Sequence, residues 1–162
     1  MAYTNTNPIC SLIRQGKFND RPELIEELAH SYALWLIDEG HLEGIDGLVP
    51  VPMHWWKRLC RGYNQAEIIA EAISKASGIP VMKAIRATKS HKAQSTKSGA
   101  ERAANVSGIF ALRSSHFSDE GLSLAMVDDI LTTGSTLSEA ITALEPLKPS
   151  SITVLTLAAT RL

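Results

Sequence analysis

The chain has 162 residues and a mass of 17.6 kDa, with 44% hydrophobic and 20% charged residues, enough for one domain to bury a core of its own. Sixteen Lys and Arg against seventeen Asp and Glu leave a formal charge of -1, which argues against a nucleic-acid coat or a polybasic membrane binder. Cys10 and Cys60 make neither a zinc site nor a disulfide framework, no apolar run approaches the ~18 residues of a membrane span, and residues 1–15 lack a signal-peptide pattern.

These features predict a single soluble cytoplasmic domain, residues 1–162. From Asp20, Leu24, Leu28, Tyr32, Trp35 and Leu36 recur at helical spacing, with Pro22 in the first turn and Gly40 as a stop. Leu48 to Val51 is short and apolar, as for a strand. A second helix opens at Asn64, with Glu67 in capping-box position, and closes near Gly78; its buried face would be Ile68, Ile69, Ala72, Ile73 and Ala76. Pro80 to Ile85 reads as a strand. A polar stretch, Ala87 to Gly99, follows, and Ser98 with Glu101 could cap a short helix through Asn105. Ile109–Leu112 and Leu122–Val127 are further strands, the latter apolar enough to be covered on both faces. Ser135–Leu144 is helical by pattern, and Ile152–Ala159 is a last strand. This alternation predicts an α/β fold, an open, mainly parallel sheet flanked by helices, with ligands at the carboxyl ends of the strands. The loops after Val51, Ile85 and Val127 are therefore where chemistry is expected.

The segment 124–136 is the most informative. An apolar strand runs into Asp128 and Asp129, then into Thr132, Thr133, Gly134, Ser135 and Thr136 at the start of a helix. A helix N-terminus attracts a phosphate, hydroxyls add donors, and Gly134 lets the backbone come close. Carboxylates beside a phosphate would repel it, so Asp128 and Asp129 must face another part of the ligand, such as sugar hydroxyls or a cation. A sugar phosphate meets both demands.

LAMVDDILTTGSTL, residues 124–137, closely resembles the loop of type I phosphoribosyltransferases that binds 5-phosphoribosyl 1-pyrophosphate (PRPP). The resemblance extends to Val49-Pro50-Val51-Pro52, to Arg61-Gly62-Tyr63-Asn64-Gln65-Ala66-Glu67, and to Gln94, Glu101, Arg102, Asn105 and Phe110, which look like the ComF/GntX branch. It implies the type I phosphoribosyltransferase fold and a transfer of phosphoribosyl to an unknown acceptor with release of pyrophosphate. It places Asp128 and Asp129 against the ribose hydroxyls and the turn 132–136 around the 5-phosphate. The turn after Val51 becomes the pyrophosphate loop, and residues 87–99 a hood that closes over the substrate. Magnesium is expected on PRPP rather than on a protein metal site. Longer members carry a four-cysteine zinc ribbon; this sequence has no Cys-x-x-Cys pair, so no structural zinc is expected.

The charge map suits a polyanionic ligand. Ten basic residues against three acids lie between Lys57 and Arg102, whereas Asp20 to Asp46 holds eight acids and one base. Arg61 reads equally as a surface charge beside the Asn64 cap and as a pyrophosphate or loop-anchoring contact. Arg86, Lys89, Lys92 and Lys97 are singly more often solvated, yet the hood needs at least one of them on the phosphates. Arg102 and Asn105 suit support of the hood. His54 has no partner at ligand spacing, Trp55 and Trp56 read first as packing, and Cys60 has three basic neighbours, Lys57, Arg58 and Arg61. Members of this branch have been linked to DNA uptake. That leaves a second class of function open: a sensor or adaptor on the same fold, without catalysis, whose basic segment contacts single-stranded DNA. The Walker pattern is absent. A homodimer stays open.

Overall fold

In the computed structural model, which describes residues 22–53, 58–60, 62–88, 108–113 and 121–159, β4 (Ser123–Leu131) is the central strand of a parallel sheet. On one side it pairs with β1 (Gly47–Pro50), Leu48 opposite Ala125 and Pro50 opposite Val127. On the other it pairs with β5 (Ser151–Ala159), from Ser123 opposite Ser151 to Leu131 opposite Ala159. A parallel bridge from Val81 to Leu48 extends the sheet beyond β1. A separate antiparallel pair is formed by β2 (Ile85–Ala87) and β3 (Phe110–Leu112).

Three helices are described in full: α1 (Pro22–Asp38), α2 (Gln65–Ser77) and α3 (Ser135–Leu144), the last followed by a 3-10 turn, Glu145–Leu147. The end of α1 is a Schellman motif. Gly40 adopts φ +70, its N–H donates to the Ile37 carbonyl at 3.1 Å, and that of His41 donates to the Leu36 carbonyl at 2.9 Å. No helix among the described residues is long and apolar enough to cross a membrane.

Alternation along the strands builds two cores. Ala125 and Val127 of β4, with Leu48 and Leu155, meet Ile25, Ala29, Ala33 and Leu36 of α1 and Ile69, Ala70 and Ile73 of α2. Leu124 and Met126, with Val49 and Val51, meet Ala84, Ile85 and the α3 residues Leu137, Ala140 and Leu144. Both faces of β4 are thus dry, which is why its first half reads as an uninterrupted apolar run.

The structure revises several element boundaries. The strand expected over Leu122–Val127 continues to Leu131, because β5 is long enough to keep pairing past the acids: Asp128 lies opposite Thr156 and Ile130 opposite Ala158. The strand expected over Pro80–Ile85 is divided, since Val81 serves β1 while Ile85 pairs with Leu112 in the other sheet. In α1 the buried stripe is Ile25, Ala29, Ala33 and Leu36 rather than Leu24, Leu28, Tyr32 and Trp35; small alanines let the helix seat closely, and Trp35 is left 48% exposed. In α2 the inward face likewise takes Ala66 and Ala70, while Ile68 and Ala72 are partly buried and Ala76 is exposed.

Candidate functional site

Because β1 and β4 run parallel, their carboxyl ends open at one edge of the sheet. Val51-Pro52-Met53 leaves one strand there, and the run from Asp128 to Gly134 leaves the other. The two exits share a root: the N–H of Val51 donates to the carbonyl of Val127 at 2.9 Å, the residue just before Asp128.

The acids sit in the last part of β4. Asp129 is only 8% exposed and Asp128 is partly buried. Oδ1 of Asp128 accepts the N–H of Asp129 at 2.9 Å. Beyond Leu131 the chain turns outward: Thr132 and Thr133 are exposed, and Gly134 adopts φ +75, a left-handed conformation that a side chain resists. The Gly134 carbonyl then accepts the N–H of Ser138 at 2.8 Å, the first bond of α3. Ser135 and Thr136 lie exposed in its first turn, and the Thr133 and Ser135 hydroxyls are 3.0 Å apart. The first turn of α3 holds no acid, so its N–H groups and hydroxyls form an electropositive lip beside two carboxylates. One continuous stretch thus presents donors for an anion and acceptors for hydroxyls.

Asp128, Asp129, Thr132, Thr133, Gly134, Ser135 and Thr136 are brought together in this way. Arg86 is exposed on β2, opposite Ala111 of β3 and outside the central sheet. Arg61 and Lys89 lie outside the described residues, as do His54, Trp55, Trp56, Lys92, Gln94, Lys97, Glu101, Arg102, Asn105 and most of the expected hood. Cys60 is a free, exposed cysteine.

Two relationships were not apparent from the sequence. Asn64 is 5% exposed and does more than cap α2. Its Oδ1 accepts the N–H of Ala66 at 3.2 Å, and its Nδ2 donates to the Val51 carbonyl at 3.0 Å. Glu67 turns its carboxylate to two bases, Arg58 at 2.9 Å and Lys83 at 3.7 Å. Local spacing marks both residues as cap positions and is silent on partners that the fold brings from elsewhere. Among the described residues no group of three or more His, Cys, Asp or Glu is placed to hold a metal ion; Asp128 and Asp129 are the hard oxygen donors that this edge offers a magnesium ion.

The phosphoribosyl transferase domain model matches residues 61–161, which includes the acids, the turn and α3. The chain belongs to the phosphoribosyl transferase domain family. Within that family it is of the ComF type. It is 30% identical over 154 residues to competence protein F of Haemophilus influenzae, covering 91% of this chain and 66% of that protein. It is 28% identical over 136 residues to the DNA utilization protein YhgH of Escherichia coli K12, covering 82% of this chain and 59% of that protein. The chain therefore spans less than two thirds of either relative. Its fold is also that of purine phosphoribosyltransferase from Pyrococcus horikoshii, with a TM-score of 0.53 at 16% identity over 83% of this chain and 77% of that one. The phosphoribosyltransferase fold thus accounts for the parallel sheet, and the matched residues contain the whole of the turn that closes on α3.

Proposed function

We propose that this chain, as a single cytoplasmic domain, binds PRPP and transfers its phosphoribosyl group to a nitrogen acceptor with release of pyrophosphate. The observation that carries the proposal is the passage of β4 from Asp128 and Asp129 directly into the left-handed turn at Gly134 that opens α3. The turn 132–136 receives the 5-phosphate on N–H groups and hydroxyls. Asp128 and Asp129 accept the ribose 2- and 3-hydroxyls, holding C1 over the exit of β1. The segment after Val51 faces the pyrophosphate, with Arg61, Arg86 and Lys89 as the bases assigned to its charge. A magnesium ion carried on PRPP would neutralise further charge on the leaving group.

The reaction follows from that placement. The bond from C1 to pyrophosphate breaks with its electron pair leaving on oxygen, and the acceptor nitrogen forms the new bond from the opposite face. The residues orient the sugar and exclude water from a cationic ribose; no covalent bond to the protein is needed. A free Cys60 suits a reducing compartment.

Titration calorimetry with PRPP and magnesium tests the binding step. Saturable heat and a raised melting temperature are expected; neither at millimolar ligand would overturn the proposal. Pyrophosphate release across a panel of nucleobases, ammonia and amines tests the transfer.

A second reading is favoured by the names of the relatives, a competence protein and a DNA utilization protein. On it, the same fold senses PRPP or serves as an adaptor in DNA handling without turnover. A mobility shift with single-stranded DNA that weakens steeply with salt, together with an empty pyrophosphate assay, would select it.

A further inference from the structure

We infer that Asn64 is a positioning residue for the pyrophosphate end of the site, through its hold on the peptide that leaves β1. The inference rests on the reading above, in which the segment after Val51 faces the pyrophosphate.

The cap of α2 needs only an acceptor, since Ser, Thr, Asp and Asn all satisfy a first-turn N–H. Asn64 brings a second group, and the structure uses it. Its amide Nδ2 donates to the Val51 carbonyl at 3.0 Å while Oδ1 caps Ala66 at 3.2 Å. Val51 is buried at 6% exposure, so its carbonyl has little access to water and a protein donor is what satisfies it. On its other side the Val51 N–H donates to the Val127 carbonyl at 2.9 Å. The peptide groups at Val51 are thus gripped from both directions, by α2 and by β4. A chain of hydrogen bonds runs from the α2 cap, through Val51, to the residue preceding Asp128. Pro52 and Met53 leave from a fixed point whose distance to the acid pair is set by these bonds. A sugar with a phosphate at one end and a pyrophosphate at the other requires both loops in register. Nothing in the cap alone requires it.

Two variants separate the cap from the clamp. Asn64→Asp keeps an oxygen for Ala66 and places favourable negative charge at the helix start, but sets a carboxylate oxygen where a donor faced the Val51 carbonyl. Asn64→Ser keeps the cap with a side chain too short for the amide's reach, without adding charge. Each variant and the wild-type chain are titrated with PRPP plus magnesium and with ribose 5-phosphate, which has no pyrophosphate. Wild-type binding of PRPP checks the function reading by itself. Given that binding, both variants should lose about tenfold or more in PRPP affinity, the scale of one buried hydrogen bond, and change by less than about twofold toward ribose 5-phosphate. Equal losses for the two ligands would mean that Asn64 supports the fold generally, and unchanged PRPP affinity would mean that the clamp is idle. Either result overturns the inference while leaving the function reading in place.

Discussion

Asp128 and Asp129 are adjacent but not equivalent: Oδ1 of Asp128 is turned back to accept the N–H of Asp129 at 2.9 Å, whereas Asp129 is the more deeply buried of the two. Substitutions at Asp128 therefore divide into those that keep an acceptor and those that do not. Asp128→Asn keeps an oxygen for that N–H and removes the charge. It should leave the melting temperature nearly unchanged and weaken PRPP by about tenfold to a hundredfold, as expected when a charge-assisted contact to a sugar hydroxyl is lost. Asp128→Ala also leaves the N–H without its acceptor, so a fall of about 2–4 °C per kcal/mol lost should appear beside the affinity loss. Inorganic phosphate should bind all of these proteins alike, because the carboxylates are assigned to the pentose. A parallel loss of phosphate affinity would contradict that assignment.

The turn is tested at Gly134. A Cβ built there would meet only the Leu131 Cδ1, at 3.8 Å, an ordinary contact. Space is available, so the cost of Gly134→Ala comes from the backbone, whose φ of +75 costs an L-residue about 1–2 kcal/mol. The variant should fold with a modestly lower melting temperature. It should also lose affinity for phosphate and ribose 5-phosphate together, since relaxing φ tilts the first N–H groups of α3. Calorimetry with phosphate alone checks this, and an unaltered phosphate affinity would detach the turn from the anion.

Much of the local architecture was legible because its signals are local. The helix expected over Ser135–Leu144 is found with those bounds, and the strand expected over Ile152–Ala159 starts one residue earlier, at Ser151. The acids and the turn were recognisable as a unit because they are contiguous in the chain. What was hidden depends on partners distant in sequence. The persistence of β4 past Asp128 is decided by the length of β5, and the division at Val81 by competition between two sheets. The rotation of the α1 stripe onto Ala29 and Ala33 is decided by how closely a neighbouring helix and sheet can approach. Asn64 has the composition of a cap, and only the fold brings the Val51 carbonyl to its amide. Arg61 and Lys89 lie outside the described residues, so their roles rest on the proposal above.

The start of β1 depends on a missing side chain. A Cβ at Gly47 would overlap the Met82 Sδ and stand 3.0 Å from its Cγ, closer than van der Waals radii allow. Gly47→Ala must push aside the thioether end of Met82, a flexible and only partly buried side chain packed against the core that holds Leu124, so the cost falls at the low end of overpacking, about 1 kcal/mol. The prediction is a small loss in denaturant midpoint for Gly47→Ala and its recovery in the double variant with Met82→Ala. If the second substitution adds its own cavity penalty without recovery, the clash is not what excludes a side chain at position 47.

Tyr32 gives a prediction in pH. It is partly buried on α1, its ring stacked on Trp35 with centroids 5.8 Å apart and planes 18° from parallel. Burial pushes the phenol above its ordinary 10.0, and a backbone hydrogen bond with Thr156 of β5 opposes the rise. The folded chain therefore holds this proton more tightly than the unfolded chain does. The resulting stability is present in full below the unfolded value of about 10 and is lost as pH climbs from there through the raised folded value. Alkaline melting curves of the wild-type chain should fall more steeply above about pH 10 than those of Tyr32→Phe, which has no proton to release. Below about pH 9 the two should run parallel, separated only by the lost hydrogen bond to Thr156. Identical slopes through the alkaline range would show that the phenol ionises as readily in the fold as outside it, and that the α1–β5 contact does not shield it.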